Sequence, residues 1–198
     1  HEPSRRQRQM CIRDRHISIS GRTMYQELDG WQTIKGDICL KSAKKQGMGQ
    51  IEEYQNLELQ TAISHCAQLR VAVDIGAHVG ITAFRLSQSF EFVHAFEVNT
   101  NLFPCLQKNL DWKKCHNVTT HPVGIGEKEK EVDIKATNKS FSTHIDPDAK
   151  KGKYKIKTLD SFNLQVVDFI KIDAEGYEPL VAEGALDTIE RCKPIILY

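Results

Sequence analysis

RVAVDIGAHVGITAFRLSQSFEFVHAFEVN, residues 70–99, is the stretch whose reading decides the fold. Val71-Ala72-Val73-Asp74-Ile75 is an apolar run with one carboxylate near its far end, the pattern of a strand buried on both faces of a parallel sheet. Gly76, Ala77 and Gly80 give a turn of little bulk. From Ile81 to Phe90 the apolar residues 81, 84, 86 and 90 fall roughly on one helical face. Phe92-Val93-His94-Ala95-Phe96 then reads as a second strand, closed by Glu97. Strand, small-residue turn, helix and strand follow one another, and both strands run into an acid.

In open α/β sheets, ligands bind beyond the carboxyl ends of the strands, and an acid about 20 residues past the glycine turn can hold two ribose hydroxyls. Glu97 stands at that place. A dinucleotide fingerprint counted from Gly76 would need glycine at 78 and 81, which are His78 and Ile81. Asp74 ahead of the turn would repel a pyrophosphate and attract an ammonium group. A nucleoside carrying an amino acid, such as S-adenosylmethionine, suits these residues better than one carrying phosphates.

Three blocks, Val73-Asp74-Ile75-Gly76-Ala77-His78-Val79-Gly80, Ala95-Phe96-Glu97 and Ile170-Lys171-Ile172-Asp173-Ala174-Glu175-Gly176-Tyr177-Glu178, resemble in order and separation the FkbM family of S-adenosylmethionine-dependent methyltransferases. The resemblance spans roughly residues 51–198, with Val98 where the family often has proline. It implies an α/β, Rossmann-like, doubly wound and mostly parallel sheet with helices on both faces and an inserted β-hairpin. It also implies that a further helix and an antiparallel strand pair, usual at the C-terminus of such methyltransferases, are missing after the apolar run Lys193–Tyr198. Asp74, Gly76, Ala77, His78, Gly80, Glu97 and Val98 would then face the cofactor. Val123 and Gly124 would border the adenine, or form an ordinary strand-to-turn step. The reaction expected is methylation, most simply O-methylation, of a small molecule or glycan. The alternatives are a non-catalytic nucleoside-binding module of the same fold and a nicotinamide-dependent oxidoreductase.

A hydroxyl acceptor must lose a proton, for which Asp173, Glu175 and His144 are the candidates. Asp173 ends an apolar strand read over residues 166–173, and strand order brings it beside the first strand. Glu175 and Glu178 can equally be acids at a helix N-terminus, ahead of a helix running to about Arg191. His144 belongs to a polar loop read over residues 138–152, between two strands at 132–136 and 154–158 that pair as a hairpin, and a solvated histidine is its ordinary reading. Asp173 and Glu175, one residue apart, make a poor metal pair, and no metal is expected.

Residues 50–69 carry apolar positions 59, 62, 63, 66 and 69 on one face, a leading helix beside the first strand, and the family resemblance implies that it lies near the cofactor cleft. Residues 99–110 give another helix and 117–123 a third strand. Ile34, Ile38 and Leu40 hint at a short strand, and Gly47-Met48-Gly49 at a loop. The division expected is 1–16 as non-native or disordered sequence, 17–70 as an N-terminal strand, loop and helix, and 71–198 as the methyltransferase core.

The 198 residues suffice for one domain, and 27 basic against 26 acidic residues leave no general attraction to nucleic acid or anionic membrane. No apolar run reaches the ~18 residues of a spanning helix. Cysteines at 11, 39, 66, 105, 115 and 192 form no C-x-x-C pair, which suits free thiols in the cytoplasm better than disulfides. The arginine-rich start, with RRQRQMCIRDR at its centre, has no apolar stretch behind it, so a secretory signal is not expected there. Oligomeric state is not legible.

Overall fold

The computed structural model describes residues 24–137, 140–146 and 152–198, with side chains described for all of these except 135–137 and 140–146. The segment 1–16 singled out above lies outside the described residues.

The chain opens with strands β1 (Tyr25–Leu28) and β2 (Trp31–Ile34), an antiparallel hairpin. Its two-residue turn, Asp29-Gly30, has φ of +51° and +83°, the left-handed pair that matches strand twist. Helix α1 (Cys39–Gln46) follows, so of the three residues hinting at a strand only Ile34 lies in one; Leu40 is in the helix and Ile38 caps it. The leading helix expected over 50–69 is broken. A single 3-10 turn, Ile51–Glu53, is followed by extended Tyr54 and left-handed Gln55 (φ +51°), and only then by α2 (Asn56–Ile63). Leu69, placed on that helix's apolar face, lies beyond its end and is exposed.

The central elements come in the order expected: β3 (Val71–Ile75), α3 (Ile81–Ser87), β4 (Phe92–Phe96), α4 (Phe103–Trp112) and β5 (Val118–His121). A smaller sheet follows, formed by β6 (Gly124–Ile125), β7 (Lys130–Thr137), β8 (Ser140–Asp146) and β9 (Tyr154–Lys157). The chain then returns to the main sheet with β10 (Phe169–Ile172), α5 (Glu178–Glu183), α6 (Leu186–Cys192) and β11 (Ile195–Leu197). The helix expected to run unbroken to Arg191 is divided at Gly184. A β-carbon there would lie 1.9 Å from the Gly126 carbonyl oxygen, so the chain narrows to bare backbone where two segments cross.

All five strands of the main sheet are parallel, in the order β11-β10-β3-β4-β5. This is the Rossmann-like, doubly wound α/β arrangement. The chain builds outward from β3 through β4 to β5, then crosses back to β10, so strand order reverses between β3 and β10. Burial on both faces explains the apolar runs: Val73, Val93, Phe169 and Ile170 are all buried. The hairpin expected from residues 132–136 and 154–158 exists as the antiparallel pair β7 and β9, but it belongs to a four-stranded sheet, β6-β9-β7-β8. Much of the polar segment read as a loop is therefore β8, paired to β7 with Asp133 opposite Asp146. Among the described residues no helix is long and apolar enough to cross a membrane. The described cysteines are free, with Cys105 and Cys115 buried.

Candidate functional site

Parallel register levels the carboxyl ends of three strands, because Ile172 pairs with Ile75 and Ile75 with Phe96. The next residues of each, Asp173, Gly76 and Glu97, leave the sheet along one edge. The main chain continues the ladder there: the amides of Gly76 and Ala77 both donate to the Phe96 carbonyl (3.0 and 2.9 Å), and that of Asp173 donates to the Ile75 carbonyl (2.9 Å). Beyond this edge opens a cleft of about 310 Å³. It lies at the reversal of strand order, where α/β sheets hold their ligands.

Glu97 lines the cleft and is 4 % exposed. Its two oxygens each accept a backbone N–H, Oε2 from His78 (2.8 Å) and Oε1 from Asn99 (2.7 Å). Burial raises its pKa, while the His78 charge and these two amides oppose the shift. A carboxylate has about four acceptor positions, so the fixed group can accept further donors from the cleft side.

Asp74 is not a cleft residue: it is fully buried in β3, and neither oxygen has a hydrogen-bond partner. Burial pushes its pKa up to about 6, against the pull of Lys171 on the neighbouring strand. Lys171 is Asp74's register partner across β10 and β3, and its ammonium donates to Asp173 Oδ2 at 2.9 Å. Burial opposes the charge on Lys171, yet Asp74 and Asp173 raise its pKa. Lys171, to which the sequence assigns no role, lines the cleft beside Asp173. A lysine inside a strand whose every residue is buried had to find acids, and that was the available signal.

Gly76 and Gly80 serve packing as much as access. At Gly76 (φ +85°) a β-carbon would lie 2.0 Å from the Asp173 carbonyl oxygen, and at Gly80 (φ +93°) 2.8 Å from Leu106 Cδ1. Gly76, Ala77, His78, Val98 and Gly124 line the cleft; Gly80 and Val123 do not, Val123 packing instead against the apolar core and Ile125 taking the cleft position. Asp173 and Glu175 both line it. Glu178 has the capping role, accepting the amides of Ala174 and Gly176 at 3.1 Å each. His144 has its backbone in β8 opposite Lys135, and its side chain lies outside the described residues.

The opposite wall comes from the N-terminal segment: Cys39, Ser42 and Ala43 of α1, and Tyr54. None of these is singled out by the sequence as a site residue; of the segment 50–69 expected near the cofactor Tyr54 reaches the cleft, while Leu59 and Ile63 of α2 pack under the sheet with Ala72 and Phe169. Burial raises the pKa of the Tyr54 phenol, with Asp173 adding to the effect. His78 reaches across to this wall, its Nε2 3.3 Å from Asp37 Oδ2. Burial works against a charge on the ring, yet Asp37 and Cys39 raise its pKa to about 10.

Comparison with known proteins agrees with this arrangement at the level of family. The model of the methyltransferase FkbM domain matches residues 74–198. Among solved structures, similarity is found to methyltransferase FkbM from Methylobacillus flagellatus (23 % identity, TM-score 0.46, covering 63 % of this chain and 31 % of that one). It is also found to an rRNA methylase from Streptococcus thermophilus (12 %, TM-score 0.46, 69 % and 63 %). A third is phosphoethanolamine N-methyltransferase 1 from Haemonchus contortus, solved with phosphoethanolamine and S-adenosylhomocysteine (15 %, TM-score 0.37, 71 % and 24 %). The chain spans about a third of the length of the Methylobacillus protein. No curated protein sequence is a significant match. Matched from the carboxylate of β3 through to Tyr198, the chain belongs to the FkbM methyltransferase domain family.

Proposed function

We propose that the chain is an S-adenosylmethionine-dependent methyltransferase acting on an oxygen of a small molecule or glycan. The observation that carries this reading is Glu97, a buried carboxylate at the end of β4 that is fixed by two backbone amides and still has acceptor positions open to the cleft. Such a group can take two vicinal ribose hydroxyls, and the backbone of residues 76–78 runs beside it without bulky side chains below His78. Val98, Gly124 and Ile125 give an apolar flank suited to a purine. When bound, S-adenosylmethionine supplies a methyl group already activated as a sulfonium. The protein's share is to place the acceptor in line with it and keep water out.

Acceptor deprotonation falls to Asp173 or Glu175, which share the cleft. Lys171 fixes one oxygen of Asp173 and leaves the other for the acceptor. Free thiols fit work in a reducing compartment, the cytoplasm.

Isothermal titration with S-adenosylhomocysteine tests the reading, with NAD as control. The wild-type chain should bind S-adenosylhomocysteine and not NAD, and folded Glu97→Ala should bind it about 100-fold more weakly, the worth of a lost pair of hydrogen bonds to a charged group. Affinity unchanged in Glu97→Ala, or binding of NAD, overturns it.

A further inference from the structure

On the cleft wall made by the N-terminal segment, donors of three kinds converge. Asp37, Cys39 and His78 each present one ligand-type atom, a carboxylate oxygen, a sulfur and an imidazole nitrogen, and the three atoms lie within 4.8 Å of one another. Nothing in methyl transfer as derived above uses them together.

The carboxylate is held in place. Asp37 is 1 % exposed; the Thr33 hydroxyl donates to Oδ2 (2.6 Å) and the Cys39 amide to Oδ1 (2.7 Å). Such outer hydrogen bonds are what orient metal-binding carboxylates. His78 is equally constrained, with its backbone in the left-handed region (φ +50°) and its amide tied to Glu97. Left-handed backbone at a residue with a side chain is a cost that gathers at functional positions.

The spacing is informative. His78 Nε2 stands 3.3 Å from Asp37 Oδ2, whereas a charge-assisted N–H···O bond contracts to about 2.7–2.9 Å. Two ligands held about 2.0–2.2 Å from a tetrahedral zinc ion are separated by roughly 3.4 Å. The pair is thus an ion pair long enough to open into a coordination edge with little movement. Sulfur in the donor set selects against magnesium and calcium and for zinc-like ions.

We propose that Asp37, Cys39 and His78 bind a divalent cation of the zinc class at the wall of the cleft. Cys39 and His78 line the cleft, so an ion held by the three residues would be reached from it, and three protein ligands would leave a position for water or an oxygen of the acceptor. Binding releases the Cys39 thiol proton and any proton on the His78 ring to solvent, so that thiolate and neutral imidazole are the ligands. The ion would also tie the N-terminal wall to the turn after β3. Its binding does not depend on methyl transfer and is read without it.

The test uses the full chain stripped with chelator and titrated with Co²⁺. One equivalent should bind, with thiolate-to-cobalt charge-transfer absorption and tetrahedral visible bands, and Zn²⁺ should bleach both. Cys39→Ser should lose the charge-transfer absorption; Cys66→Ser, whose thiol is elsewhere, should keep it. A second measurement needs no variant: Zn²⁺ should slow alkylation of Cys39 by iodoacetamide about tenfold, as expected for a thiolate withdrawn into coordination, and leave Cys66 unchanged. Absence of the charge-transfer band in folded protein, its survival in Cys39→Ser, or unprotected Cys39 overturns the proposal.

Discussion

The two sides of the cleft are held by different means. The sheet side is knit by main chain: amides of Gly76, Ala77, Glu97 and Asp173 each continue a parallel ladder past the last strand residue. The N-terminal wall is hung on side chains. Among the described residues no backbone–backbone hydrogen bond joins residues 24–66 to the main sheet. Buried Asn109 of α4 substitutes for one, accepting the Gln32 amide (2.8 Å) and donating to the carbonyls of Gln32 and Val79 (2.9 Å each). Beside it, buried Trp31 donates to Glu52 (3.0 Å), and Lys113 bonds to the same carboxylate with its ammonium 5.1, 5.0 and 4.2 Å from the rings of Trp31, Phe84 and Trp112. The family match begins at residue 74 and so takes in the end of β3 and the elements after it, but not this wall. One chain thus builds half of its cleft from a shared backbone rule and half from particular packing.

The largest effect should come from removing the wall's anchor. Trp31→Ala empties a fully buried site and should cost about 3–5 kcal/mol in urea denaturation. If the wall also shapes the cleft, S-adenosylhomocysteine affinity should fall with it; a cost under about 1 kcal/mol would show that the contrast between the two sides is misdrawn. The sheet side carries a weakness of its own in Asp74. Burial raises its pKa from 3.8 to about 6, so the fold binds this proton more tightly than the unfolded chain does. Stability should therefore be highest below pH 4 as far as this group is concerned, and decline as pH rises to about 6, by about 3 kcal/mol in all. Asp74→Asn should abolish that slope in denaturation curves between pH 4 and 7; an unchanged slope would clear Asp74. The smallest effect belongs to Gln55, left-handed at the entry to α2. Gln55→Gly relieves that backbone and should raise stability by about 0.5 kcal/mol, and a loss instead would mean that the Gln55 side chain holds the wall in place.

The same contrast decides what was legible in the sequence. β3, α3 and β4 declare themselves because a doubly buried strand must be apolar and must end where charge begins, so Glu97, Asp173 and the glycine turn could be placed at one edge by counting. Asp74 lies in β3 as its place in the apolar run implies, but which way its side chain faces depends on the pleat, and it turns into the protein rather than into the cleft. Cys39 and Tyr54 carry no local pattern; only the tertiary packing around Trp31 and Asn109 brings them to the cleft. One signal on that side is local: Asp29-Gly30 between short strands is the sequence of a two-residue hairpin turn. The polar residues of β8 read as loop by composition, and pairing with β7 overrides that preference. The break at Gly184 depends on the Gly126 carbonyl, far away in sequence, and no helical periodicity can announce it.

Asn109 bears on how independently the two sides of the cleft can vary. Because the Asn109 carboxamide stands in for a strand pairing at Gln32, the hairpin meets the rest of the fold through side chains, and a change in its length leaves every strand of the main sheet with the same neighbours. What the N-terminal wall presents to the cleft is thus set by side-chain packing, apart from the backbone ladder that carries Glu97 and Asp173.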